Sequence, residues 1–326
     1  MKEKIGKFYD YIYANKIIIV VFVSLFACLY DITQGQKRQI REIHGAKDLM
    51  ILINSFNSWK YDDPLDKQDY DDIKILVTYH RPAFLYQHRA LLPMFAGADV
   101  AKEESFTRTG NVKNDEKAIK WMNKYLTPDN TGDNISYLNR RIGAGSVIYW
   151  ACKNYDKLEN PEHIGFMQFT KFFGTSILSE YKEYDIITGS KASRLDGDKF
   201  PFQAIFNKSN GDKTMNYLLE AVKKHAPNDV EEIKEYFNTR SLPKYFNQLF
   251  LMKKKIFFEY CDFIFPIMLE LAKNKELNFI VLGGKDKRDL DHIMERVTSY
   301  FIYKKTQDKN VKHYVVTLFL LEPRNW

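Results

Sequence analysis

The sequence predicts an α/β protein, and three observations carry that expectation. Short β-rich runs such as Ile73–Tyr79 (IKILVTY) recur along the chain. Apolar stripes at helical spacing lie between them; the strongest is Ile256, Phe257, Tyr260, Cys261, Ile264, Phe265, Met268 and Leu269, which reads as a buried helix. With 326 residues and 45% hydrophobic content, the chain can bury one large core or two modest ones, and wholesale disorder is excluded.

The elements follow in order. Ile17–Tyr30 is a fourteen-residue apolar run. As a helix it spans roughly 21 Å, short of a ~30 Å hydrocarbon core. A buried element, a membrane-dipping anchor and a spanning helix all remain open, and no cleavage site marks a signal peptide. Trp59–Asp72 is acidic and holds Pro64, so it reads as a linker between an N-terminal extension (1–72) and the main domain (73–326). Ile73–Tyr79 is the first strand. Ala118, Ile119, Met122, Tyr125 and Leu126 form a helical stripe stopped by Pro128. Ser146–Asn154 is helical by pattern. His163–Phe169, Tyr184–Thr188, Asn247–Met252 and Phe279–Leu282 are strand candidates, the last ending in Gly283 and Gly284. Tyr217–His225, Val230–Asn238 and Asp289–Tyr300 are helices. Pro266 predicts a kink or break in the long stripe, and His313–Leu321 a closing edge strand.

The formal charge of +7 suits an acidic partner such as a nucleotide diphosphate, a polyprenyl phosphate or an anionic membrane face. No dense basic block interleaved with aromatics points to nucleic acid. Cys28, Cys152 and Cys261 are few, odd in number and far apart, which argues against a disulfide framework or a zinc site and for a reducing cytoplasm. GxGxxG, Walker-type and GxSxG motifs are absent, and no His pair has metal-binding spacing. Asp196 and Asp198 flank Gly197. They offer a weak Mg²⁺ or Mn²⁺ site, while an ordinary turn explains them as well.

Residues Asp129–Phe173 read DNTGDNISYLNRRIGAGSVIYWACKNYDKLENPEHIGFMQFTKFF. This stretch resembles the family catalogued as domain of unknown function 4422, proteins of capsule, exopolysaccharide and lipopolysaccharide clusters regarded as GT-A-like glycosyltransferases. Asp129, Thr131, Gly132, Asp133, Asn134, Ile135 and Ser136 fit its DDTGDNIS motif, with Asn130 replacing the second Asp. Tyr149, Trp150, Lys153 and Asn154 fit YWxWKN. Tyr79, His80 and Pro82 fit the end of its first strand, and LFLMKKKIFFEYCDFIFPIMLEL resembles a late segment, NMFIMKREIFDEYCEWLFPILFEL. Two positions depart. The family's HYRRYF is here Gln168–Phe173 (QFTKFF), and its Glu before YWxWKN falls on Ala144.

The resemblance implies a GT-A-like fold, with a mixed central sheet flanked by helices, and sugar transfer from a nucleotide-sugar, UDP-linked by expectation, to a glycan or lipid-linked acceptor. Such a protein would work in the cytoplasm, with peripheral association at the inner membrane face as an alternative. Ligands of open α/β sheets bind beyond the carboxyl ends of strands. Tyr79, His80 and Arg81 are therefore candidates to stack on the base and reach ribose or phosphate. Asp129, Thr131, Asp133 and Asn134 are donor-binding candidates, as is Lys153. Gln168 and Lys171 stand where GT-A folds carry an Asp-x-Asp metal site; neither suits a divalent cation, so Lys171 is expected to offset the leaving charge without metal. Asp291 and Glu295, on the late helix, are candidate acceptor bases.

Overall fold

The computed structural model describes residues 69–103, 112–174, 177–189, 211–239, 242–243, 245, 248–274, 276–277, 289–316 and 318–320. The apolar run at 17–30, most of the acidic linker, Asp196, Asp198 and the candidate strand at 279–282 lie outside these residues. All described residues fall in one compact unit.

Among the described residues, nine strands form a mixed sheet: β1 (Ile73–Tyr79), β2 (Leu91–Phe95), β3 (Thr127–Pro128), β4 (His163–Gln168), β5 (Lys171–Phe173), β6 (Ile186–Gly189), β7 (Phe250–Lys253), β8 (His313–Val316) and β9 (Leu318–Leu320). The order is β3-β2-β1-β4-β7-β6-β8. Neighbours β3, β2, β1 and β4 are parallel. β7 runs antiparallel between β4 and β6. β8 returns parallel beside β6 and forms the expected edge. β5 hairpins back on β4 through Gln168 opposite Lys171 and carries β9.

The helices are α1 (Val100–Glu103), α2 (Val112–Tyr125), α3 (Asn139–Ile142), α4 (Gly145–Lys153), α5 (Ile177–Glu180), α6 (Gly211–His225), α7 (Val230–Asn238), α8 (Lys254–Lys273) and α9 (Asp289–Thr306). Because side chains alternate along a strand, the sheet has two covered faces. Leu76, Ile164, Phe166, Phe250 and Met252 face the core under α4 and α6–α9. Ile75, Val77, Tyr79, Met167 and Leu251 face a second core with Met122, Phe172 and Ile177. Burial on both faces is why β1 carries apolar residues on both sides of the strand, interrupted only by Lys74 and Thr78.

Three expectations need correction. Tyr125 ends α2 exposed, at 44%, and so leaves the buried stripe. Of the kink or break expected at Pro266, the break does not occur: α8 continues through it. The carbonyl that loses its donor belongs to Asp262, an exposed residue, so the lost bond leaves no buried acceptor unpaired. Cys152 and Cys261 form a disulfide, Cα–Cα 6.0 Å, across 109 residues of sequence. Packing of α4 against α8 makes that approach, and linear spacing carries no trace of it. The compartment inferred from dispersed cysteines loses that support. Among the described residues no helix is long and apolar enough to cross a membrane.

His163 opens β4 at the amino end of that strand. It is 4% exposed, its ring edge meets Tyr181 at 5.0 Å, and among the described residues neither ring nitrogen has a hydrogen-bond partner in good geometry, the Asp72 backbone being the nearest to one. Burial pushes its imidazole below the ordinary value; Glu162 opposes and Lys253 reinforces the shift. The unfolded chain therefore takes a proton near pH 6.5 that the folded protein refuses. Stability from this group is complete above that pH and is lost as pH falls, by at most about 1.4 kcal/mol per unit. His163→Leu should flatten this acid slope in urea titrations between pH 7 and 5. An unchanged slope would remove His163 as its source.

Candidate functional site

The carboxyl ends of β1, β2, β3 and β4 form one rim, and most candidate residues stand on it. On one side, Tyr79 closes β1. It is fully buried, stacks on Phe169 at 5.4 Å, donates its hydroxyl to the Phe84 carbonyl and accepts the Tyr86 N–H. It shapes the strand end, and the role of stacking on a base passes from it. His80 and Arg81 are exposed. His80 meets the Phe169 ring edge-on at 5.0 Å, and the Arg81 guanidinium lies 5.6 Å from its centre. Phe169, which the sequence reading passed over, is thus the hub of this side. Lys171 follows it across the β4–β5 turn, half-buried.

The other side is the loop from Asp129 to Ser136. The Asp129 carboxylate has no exposure. It accepts the backbone N–H groups of Gly97 and Ala98 at 2.9 and 3.0 Å and the hydroxyls of Ser136 and Ser146, each at 2.6 Å. Burial pushes the carboxyl up, and these four donors oppose that shift. Asp129 therefore positions the loop; it joins the turn after β2 to the start of α4.

The rest of the loop is held by α4. Trp150 Nε1 donates to Thr131 Oγ1 at 3.0 Å. The Tyr149 hydroxyl donates to Asp133 Oδ1 at 3.1 Å. Asn154 Nδ2 donates to the Asp133 carbonyl at 2.8 Å. Burial first, and then Asp133, pushes the Tyr149 phenol up to about 12. Asn134 spends its side chain on the loop, donating to the Gly132 carbonyl and accepting the Ser136 N–H. Gly132 is required: its φ is +62°, and a Cβ would lie 1.9 Å from Asn154 Oδ1. What the loop presents outward is the exposed Asp133, beside the exposed Lys153, whose ammonium sits 5.8 Å from the Tyr149 ring centre.

The late helix reaches the same side. Gly143, between α3 and α4, has φ +57°, and a Cβ there would lie 2.6 Å from Asp291 Oδ1. The Gly143 carbonyl accepts from Asn139 and Ser146. The Asp291 carboxylate is thus seated against the corner that Asp129 organises. Glu295, one turn further along α9, is half-buried, and Arg296 beside it is lowered to about 10 by burial.

The donor set at the end of β4 is an amide, a phenyl ring, a hydroxyl and an ammonium, which does not fit a divalent cation. Among the described residues no group of three His, Cys, Asp or Glu side chains has metal-binding geometry.

A mixed sheet flanked by helices, with its polar loops gathered on the carboxyl rim, defines a GT-A-like α/β protein. The match to the model of the family "Domain of unknown function (DUF4422)" runs over residues 74–307, and the chain belongs to that family. The apo structure of WbbM, a bifunctional glycosyltransferase, is similar to it with a TM-score of 0.60 and 20% identity, over 78% of this chain and 46% of that one. The chain thus spans less than half of that protein's length. No curated protein matches the chain.

Proposed function

We propose that the chain is a glycosyltransferase that moves a hexosyl unit from a UDP-linked sugar to a growing bacterial surface polysaccharide, of capsule, exopolysaccharide or lipopolysaccharide type, or to its lipid-linked precursor. The observation that carries the reading is the rim itself. Cationic Arg81 and Lys171 stand at the ends of β1 and β4, and a pinned loop presents Asp133 opposite. Family membership and a fold shared with a glycosyltransferase support it.

In the transfer, the bond from the anomeric carbon to the diphosphate oxygen breaks and a bond to an acceptor hydroxyl oxygen forms. Arg81 and Lys171 offset the charge gathering on the departing diphosphate. His80 lies within the same reach. Asp133 accepts from sugar hydroxyls and Lys153 from its side attracts phosphate. Asp291, or Glu295 a turn later, takes the acceptor proton. Gln168 lines the floor between β1 and β5. No step runs through a metal ion. We take the reaction to run in the cytoplasm, at the membrane face when the acceptor is lipid-linked, a reading to which the Cys152–Cys261 disulfide lends no support.

Lys171→Ala should weaken UDP binding about tenfold, the scale of one lost charge-assisted contact. Calorimetry with UDP checks this, and an unchanged affinity would take Lys171 out of the site. Sugar release from UDP-hexoses should persist in EDTA; loss with rescue by Mn²⁺ would return the role to Asp196 and Asp198. A second reading, a degenerate paralogue that binds nucleotide-sugar without transfer, draws on the departures at Ala144 and Gln168–Phe173. Tight UDP-sugar binding with neither hydrolysis nor transfer would favour it.

A further inference from the structure

Gln248 lies two residues before β7. Its backbone is left-handed, φ 51°, a conformation that residues with long side chains avoid. The residue is 6% exposed. Its Nε2 donates to the Asp291 carbonyl at 3.4 Å, while Oε1 is buried and accepts nothing among the described residues. β7 is antiparallel to β4 with Phe250 opposite Phe166. The chain therefore enters β7 from the carboxyl end of β4. Gln248 stands on the same rim as Gln168, and its bond to Asp291 ties it to the start of α9.

Each of these features is unfavourable for folding. A left-handed non-glycine residue and an orphaned buried carbonyl both persist only where surroundings or a ligand require them. Here they coincide on one residue, beside the seated carboxylate of Asp291. A carbonyl oxygen can only accept a hydrogen bond. Diphosphate oxygens offer it no donor; sugar hydroxyls offer several.

We propose that Gln248 is a sugar-recognition residue, its Oε1 accepting a hydrogen bond from a hydroxyl of the transferred sugar. The inference rests on the nucleotide-sugar reading above. The Asp291 carbonyl fixes the orientation of the amide by taking its N–H, which leaves the oxygen to the ligand. The same contact places the recognised hydroxyl near the carboxylate that receives the acceptor proton.

The test measures binding of UDP, UDP-glucose and UDP-galactose to the wild type, Gln248→Gly and Gln248→Asn by calorimetry, with melting temperatures alongside. Glycine relieves the left-handed backbone, so this variant should melt no lower than wild type. Asparagine tolerates that backbone but withdraws the amide by one methylene. Both should lose about tenfold in affinity for the better UDP-sugar while holding UDP unchanged. Equal weakening of UDP and UDP-sugar would place Gln248 at the base, and no weakening would place it outside the site; either result overturns the assignment. Lower melting temperatures in both variants, with all binding lost together, would make it a structural residue and overturn it equally. If the wild type binds none of the three ligands, the nucleotide-sugar reading fails, and this inference with it.

Discussion

Asp129→Ala is expected to destabilise the protein by about 3 kcal/mol or more, since it strands two buried N–H groups at once and takes the acceptor from two hydroxyls. Gly97 and Ala98 carry those N–H groups, and they have no route to water behind the loop. The hydroxyls of Ser136 and Ser146 can turn elsewhere; Ser146 already reaches the Gly143 carbonyl at 3.2 Å. Asp129→Asn keeps the shape but turns an N–H₂ toward donors, so it should lose nearly as much. Ser146→Ala removes one of four contacts and should lose about 1 kcal/mol. Urea denaturation of the three variants measures this order. Binding should follow stability, because the loop that presents Asp133 and the corner that seats Asp291 both hang on this carboxylate. Asp129→Ala within ~1 kcal/mol of wild type would show that the loop stands without it.

The central strands and the long helix were legible because one physical cause fixes both sequence and structure. β1 and β4 are covered on both faces, so apolar residues dominate both without strict alternation, with Lys74, Thr78, His163 and Gln168 as the exceptions. The stripe from Ile256 to Met268 is buried along one side of α8, and Leu269 at its end is half-buried. The loop at 129–136 was legible as a unit, but not that Asp129 and Asn134 spend their side chains holding it. Asn134 accepts the N–H two residues on, ordinary Asx-turn behaviour that the sequence signals. The inward hold on Thr131 and Asp133 needs α4, whose Trp150 and Tyr149 bury their bodies and spend their polar tips on the loop.

Other features had no sequence signal. Tyr79 stands at a strand end, where an aromatic is free for ligand unless a neighbouring strand covers it. Phe169 does cover it, from β4's turn. Gln248 shows nothing in sequence; its backbone angle and orphaned oxygen exist only in the folded chain. The disulfide had no signal either: Cys152 and Cys261 lie 109 positions apart, and only the packing of α4 against α8 brings them together.

Reduction of that link is expected to lower the stability of the fold by about 2–5 kcal/mol, the range for a crosslink closing a loop as long as this one. The 109-residue separation of Cys152 and Cys261 takes in β4 to β7, so the reduced, unfolded chain regains the freedom of about a third of the protein. The effect reaches the site through α4, which carries Tyr149 and Trp150 against the loop. UDP-sugar affinity should therefore fall with reductant at temperatures where the reduced protein begins to open. Cys152→Ser should match the reduced wild type in stability and should no longer respond to reductant. Thiol titration supplies the direct check. Of the three cysteines, only Cys28 should react in the denatured, unreduced chain, and all three after reduction. Three reactive thiols without reductant would remove the crosslink, and α4 and α8 would then be held by packing alone.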